Sequence, residues 1–170
     1  MTKVFVTSTT IQSPVGPMYL AATANGLMCC TFLSRLMRTD QKPEGDFSSK
    51  GRNILLQAEL QLHEYFHGKR HDFTVPVAPS GTVFQRSVWN ALQSMIPYGS
   101  TASYSDVAIA IHNPKAVRAV GMANNKNPIC VIIPCHRVIG KDGTMVGYGA
   151  GLDMKLKLLK LEEANLGKSK

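Results

Sequence analysis

A chain of 170 residues with 44% apolar and 18% charged side chains can bury a real core, which excludes a disordered chain and leaves room for one domain or two small ones. Nineteen Lys and Arg oppose eleven Asp and Glu, and the net charge of +8 favours polyanionic partners such as nucleic acid, the alternative being a basic but inert surface. Cys29, Cys30, Cys130 and Cys135 are too sparse for a disulfide scaffold and show no CxxC spacing, so a reducing intracellular compartment is expected, with no export signal and no bilayer span.

In chain order, Lys3–Thr10, Met18–Thr23 and Leu27–Phe32 read as short strands separated by the turn formers Ser13-Pro14-Val15-Gly16 and Asn25-Gly26, a β-meander. A polar loop from Thr39 to Gly51 leads into a helix expected from about Asn53 to His67 and stopped by Gly68. Phe73–Pro79 alternates with prolines and suits an edge strand or extended connector, which places a domain boundary near Ser80. Up to Val83 the chain carries eight basic and six acidic groups, and beyond it eleven and five, so the positive surplus belongs mainly to the second half.

Apolar residues at Val83, Phe84, Val88, Leu92 and Met95 predict a helix starting near Thr82 and stopped by Pro97-Tyr98-Gly99. Ser103 and Asp106 form a capping box for a helix through Ile111, and Asn113-Pro114 is expected to start another at once, a helix-turn-helix. Ile129–Ile139 reads as a mostly buried strand broken by Pro134. Gly143–Gly151 is a glycine-rich loop, and a last helix, Met154–Ala164, is expected to be capped by Asp153.

The sharpest chemical feature is Pro134-Cys135-His136-Arg137-Val138. A thiol becomes a strong nucleophile when deprotonated, and a nearby imidazole and cations favour the thiolate; the alternative is a buried structural cysteine. The acidic candidates to orient His136 are Asp142, Asp153, Glu162 and Glu163; Glu162 on the last helix could reach inward, or both glutamates could be solvated, and spacing alone does not choose. In the helix-turn-helix, the small residues Ala116, Ala119, Gly121 and Ala123 surround one long cation, Arg118. That composition suits close approach to a minor groove with one inserted side chain, or alternatively alanines packed on a core. His63-Glu64-Tyr65-Phe66-His67 matches the HExxH zinc motif literally, but Gly68 follows at once and His71 does not fit the longer form.

With these residues in view, the second half resembles the methylated-DNA-protein-cysteine methyltransferases, or O6-alkylguanine-DNA alkyltransferases. The likeness runs through Gly81–Gln85 with Val88-Trp89, Ile96–Gly99, Ser103-Tyr104, Asn113–Gly121, Asn127-Pro128, Ile133–Gly140, Gly147-Tyr148 and Leu158-Leu159 with Glu162. The first half matches more loosely, through Ser13–Gly16, Asn25-Gly26-Leu27 and Leu62–Gly68, where the family has a structural helix with an aromatic pair; the two histidines are then incidental and no metal is expected. The resemblance implies an N-terminal α/β domain, 1–80, with an RNase H-like meander, and a mainly helical C-terminal domain, 81–170, with a winged-helix-like motif.

It further implies direct reversal of DNA damage without a cofactor. A methyl or larger alkyl group would pass from guanine O6, with thymine O4 a second candidate, in double-stranded DNA to Cys135, once, because a thioether is not hydrolysed. His136 would take the thiol proton through a water, Glu162 would orient His136, Asn127 would brace the turn, and Tyr104 would donate to guanine N3. The lesion would be flipped out and Arg118 would fill its place, with Ala116, Val117, Gly121 and Ser105 along the DNA. The carbonyls of Cys135 and Val138 would hold the exocyclic amine, Tyr148 and Gly149 to Gly151 would wall the pocket, and the Gly149 amide would stand in for a serine found in some relatives. The protein is expected to be monomeric, with cooperativity on DNA left open, and cytoplasmic, or nuclear in a nucleated cell. Two other classes remain: a DNA-binding regulator that is never alkylated, and a thiol hydrolase that turns over.

Overall fold

The computed structural model describes residues 6–36 and 49–167. Two compact units divide the chain, Met1–Ser80 and Gly81–Lys170. In the first, β1 (Thr7–Ile11), β2 (Met18–Thr23) and β3 (Gly26–Phe32) form an antiparallel meander in the order β1-β2-β3. The first strand begins at Thr7 and runs one residue past the expected Thr10, while residues 3–5 lie outside the described residues. β2 is buried along almost its whole length, as a central strand covered on both faces must be. A short helix, α1 (Leu33–Leu36), follows β3, and Leu36 packs with Val6, Tyr19 and Ala21.

The long helix α2 (Ser49–Phe66) packs against all three strands. It begins four residues before the expected Asn53, because Gly51, read as the end of a loop, is helical and buried. Gly51, Leu55, Ala58, Leu62 and Tyr65 recur every three or four residues and form the face laid on the sheet. Of the loop expected from Thr39 to Gly51, residues 49–51 are helical and the rest, 39–48, lies outside the described residues. Gly68, at φ +71°, ends α2: its N–H and that of Lys69 bond the carbonyls of Tyr65 and Glu64 at 3.1 and 2.8 Å. The proline-rich segment that follows is extended, with Val77 bridged to Leu27 in parallel. Buried Gln61 pins that segment, its Oε1 accepting from the N–H groups of Thr74 and Val75 and its Nε2 donating to Thr74 Oγ1 at 2.7 Å.

In the second unit, α3 (Val83–Met95) is closed by a reciprocal Thr82–Gln85 capping box, and α4 (Tyr104–Ala110) by one between Ser103 and Asp106. Helix α5 (Val117–Asn125) packs against both, and buried Trp89 of α3 donates its indole N–H to the Ala123 carbonyl of α5 at 2.9 Å. Truncating Trp89 to Ala would cost about 3–5 kcal/mol. Helix α5 starts three residues later than Asn113-Pro114 suggested: His112 turns the chain at φ +56° and residues 113–116 form a turn, Ala116 N–H bonding Asn113 O at 2.9 Å.

The strand expected over Ile129–Ile139 is largely absent. Only β5 (Val138–Ile139) is strand, paired in parallel with β4 (Ala102–Ser103); Cys135–Arg137 is a 3-10 turn, and Cys130 bridges only Ile133. Buried Val131 sits at φ +74°, incompatible with a strand and costly for a β-branched residue. The last helix, α6 (Leu152–Gly167), begins before the expected Met154, so Asp153 lies in the first turn rather than capping it, where its charge still favours the helix N-terminus.

Candidate active site

The thiol is set by a turn that one side chain builds. Asn127, fully buried, accepts the Ile129 N–H on Oδ1 at 3.0 Å, and its Nδ2 donates to the Ile133 carbonyl at 2.9 Å and to Cys135 Sγ at 3.0 Å. These bonds replace the ladder partners that Ile129–Ile133 would have had in a sheet. Asn124 of α5 donates to the Cys135 carbonyl at 3.1 Å, tying the 3-10 turn to the helix-turn-helix. Cys135 is 1% exposed.

His136, directly after it, is fully buried, and its Nε2 meets Glu162 Oε1 at 2.7 Å. Glu162 is also fully buried and receives the Arg137 guanidinium through Nε and Nη2 at 3.0–3.2 Å, and the Gly99 N–H at 3.0 Å. Burial alone would push the Glu162 carboxyl up, but the hydrogen bonds and charges of His136 and Arg137 outweigh it and hold the group at about 2. The carboxylate is therefore ionised and Nε2 carries the imidazole proton, which leaves the Nδ1 lone pair free; Nδ1 is buried without a hydrogen-bond partner. Burial foremost, then the charges of Arg137 and Lys155, lower the His136 pKa against the opposing pull of Glu162. The imidazole is neutral and can accept a proton. Gly99 must be glycine here, since it sits at φ +72° and a Cβ would collide with Leu166.

Lys155 of α6 is buried as well and donates its ammonium to the carbonyls of Val138 and Val146. Desolvation lowers its pKa, while the nearby Cys135 charge works the other way. The Tyr104 hydroxyl donates to Val146 O at 3.0 Å, and burial raises its pKa, reinforced by the charge on Cys135. Tyr104 and Lys155 thus both anchor the loop before Tyr148, and the Lys155 ammonium stands 5.9 Å from the Tyr104 ring centroid.

Of the residues singled out from sequence, Cys135, His136, Glu162 and Asn127 come together in the buried centre, and Val138 and Tyr104 adjoin it through Lys155 and Val146. Tyr148 is buried and Gly149 half-buried. Arg118 and Val117 are exposed on α5, which begins at the cap residue Ala116; a methyl on Gly121 of the same helix would lie 3.8 Å from the Tyr104 ring. Ser105 Oγ lies 2.9 Å from Ser103 Oγ at the start of α4. Sequence reading missed Lys155 and Asn124, and read Arg137 as a cation for the thiol rather than as a partner of Glu162. A signal for Lys155 existed: it precedes Glu162 by seven residues, two helical turns, so an inward Glu162 implies an inward Lys155. In the HEYFH stretch, Glu64 pairs with Arg70 at 2.6 Å and His67 Nδ1 lies 2.7 Å from the His63 carbonyl. Among the described residues no three His, Cys, Asp or Glu are grouped to hold a metal, and no helix is long and apolar enough to cross a membrane.

Two family models match the two units. The 6-O-methylguanine DNA methyltransferase ribonuclease-like domain matches residues 6–79, and the DNA binding domain of the same family matches 83–164. A methylated-DNA-protein-cysteine methyltransferase from Methanosarcina barkeri is 49% identical over 92% of this chain and 96% of its own length. One of the same name from Mycobacterium leprae is 43% identical, with 90% of each chain covered. The crystal structure of the Mycobacterium tuberculosis O6-methylguanine methyltransferase superposes with a TM-score of 0.79 at 42% identity, covering 95% of this chain and 94% of that one. A structure of the Mycobacterium tuberculosis protein in complex with DNA is also similar, at TM-score 0.79 and 43% identity over 93% of both chains. With matches to both halves at this identity and coverage, the chain belongs to the methylated-DNA-protein-cysteine methyltransferase family.

Proposed function

We propose that this protein repairs duplex DNA by moving an alkyl group from guanine O6 onto Cys135, one group per molecule, with no cofactor. The observation that carries this reading is the buried Cys135 Sγ receiving the Asn127 amide at 3.0 Å, beside an imidazole held on an ionised carboxylate. An N–H aimed at sulfur favours thiolate over thiol, and neutral His136 provides the base through Nδ1 and a bridging water. Sulfur displaces the guanine oxygen at the alkyl carbon, the C–O bond breaks, and the guanine leaves with a proton delivered to the ring. Tyr104 supplies a hydrogen bond or proton at guanine N3 once its hydroxyl leaves the Val146 carbonyl. The product thioether is stable to water, so the protein is consumed.

A thiol at 1% exposure cannot meet a base inside a duplex, so the lesion is flipped out, at a few kcal/mol, with exposed Arg118 filling the gap. Ala116, Val117, Gly121 and Ser105 line the DNA side, and the carbonyls of Cys135 and Val138 receive the exocyclic amine. Tyr148 and Gly149 wall the alkyl pocket, the Gly149 amide facing guanine O6. The acceptor chemistry belongs to residues 81–170. Free thiols suit a reducing intracellular compartment, and the working unit is a monomer.

The test is intact-protein mass after mixing with excess duplex carrying one O6-methylguanine, beside Cys135→Ser. One added methyl group, mapped to Cys135 and absent from the serine variant, is the expected result. Tight binding with no mass change would leave a damage sensor instead, and repeated release of product would leave a hydrolase.

A further inference from the structure

Arg137 follows the thiol by two residues, and its side chain is committed to Glu162 and to backbone. Nε and Nη2 fork onto Glu162, Nη1 donates to the Ile96 carbonyl at 2.8 Å, and the guanidinium stands 5.6 Å from the Tyr98 ring centroid. We propose that Arg137 is a positioning residue for alkyl transfer: its clamp on Glu162 keeps the carboxylate ionised and facing His136, so that the imidazole proton stays on Nε2 and the lone pair on Nδ1. This inference rests on the reading of Cys135 as alkyl acceptor.

The physical case is one of competition for a proton. A buried carboxylate facing only an imidazole can neutralise itself when the pair binds one further proton at Nδ1: the shared proton then passes from Nε2 to the carboxylate, leaving an Nδ1–H imidazole whose lone pair is on Nε2 and whose Nδ1 is no longer a base. A guanidinium is permanently charged, and its planar fork fits both carboxylate oxygens. The charged and titratable groups facing this cluster come from every element packed on it. Arg137 and His136 lie on the 3-10 turn, Lys155 and Glu162 on α6, Tyr98 after α3 with its hydroxyl bonded by Asn165, and Tyr104 on α4 near the thiol. Both Arg137 and Lys155 push His136 toward its neutral form, in addition to burial. Removing the Arg137 charge therefore makes His136 and Glu162 hold protons more tightly, and the acid limb of the transfer rate must move to higher pH.

The experiment is the single-turnover transfer rate against pH for the wild type, Arg137→Gln and Arg137→Lys, with thermal melts of each. The glutamine variant is expected to raise the acid limb by about one pH unit, the lower end of the effect of a nearby charge, and so to cut the rate on that limb about tenfold. Lysine restores the charge but not the fork, so it should return the limb while leaving the rate partly reduced. Lower melting temperatures with the limb unmoved in both variants would make Arg137 merely structural and overturn the proposal. So would a limb displaced equally by lysine and glutamine. Should the glutamine variant not fold, histidine nitrogen NMR on the wild type and the lysine variant decides: an Nε2–H imidazole is expected in the wild type, and an Nδ1–H imidazole overturns the proposal. A wild type that gains no methyl mass would sink the alkyl-transfer reading, while the NMR result still judges the clamp.

Discussion

The two units solve the problem of buried polarity differently. Among the described residues, the first unit buries Thr31 and Gln61 as its polar side chains, and Gln61 serves the backbone, closing Thr74 and Val75 onto α2. The second buries Ser103, Asn124, Asn127, His136, Arg137, Lys155, Glu162 and Asn165, four of them ionisable. A polar core used for architecture needs each group satisfied once. A core used for chemistry carries charges that stability alone would not select, since an apolar replacement of similar volume often does as well. The contrast marks which unit holds the reacting groups without reference to any relative.

Stability measurements can break that contrast. The largest effect is expected for Glu162→Gln, which leaves the buried Arg137 charge without its counter-ion and should cost about 3–5 kcal/mol in urea denaturation. Gln61→Leu in the first unit strands two backbone N–H groups and should cost about 1–3 kcal/mol. If the Gln61 change proved as costly as the Glu162 change, charge burial would not be what distinguishes the two units.

The pH dependence of stability sharpens the comparison. The folded His136 pKa lies below its ordinary 6.5, so its contribution is complete above about 6.5 and is lost as pH falls below that. Glu162 moves from 4.5 to about 2, so its contribution is complete above 4.5 and is lost only as pH drops toward 2. Urea midpoints should therefore decline from pH 7 to 5, and His136→Gln should flatten that decline; an identical slope in the variant would remove His136 as its source. The smallest effect on the fold belongs to Arg118→Ala. That residue is exposed, so its loss should shift stability by no more than about 0.5 kcal/mol. Transfer from duplex DNA should nevertheless fall much further than transfer from the free modified nucleoside, and equal losses on both substrates would argue against a role in base extrusion.

Much was legible from residue order alone. The helices opened by Thr82 and Ser103 and the stop at Gly68 depend on contacts within about five residues, and the meander pairs strands that are neighbours in the chain, so local composition and turn residues determine them. Cys135 and His136 were equally visible, because their chemistry is carried by residue type and adjacency. The misread elements are those governed by distant partners. Gly51 is helical because the sheet accepts a close helix face. The Ile129–Ile139 run looked like a strand by composition, but Asn127 satisfies its backbone from the side and Val131 adopts a positive φ.

Arg137 shows the boundary most clearly. Its place beside the thiol suggested a cation acting on sulfur, and the fold turns it onto Glu162, 25 residues ahead, while Lys155 is a buried cation that feels the Cys135 charge. The sequence by itself determined which groups could react, since nucleophilicity and basicity belong to residue types. Only the tertiary structure decided which proton each group holds, because that depends on burial and on charges brought within a few ångströms by segments far apart in the chain.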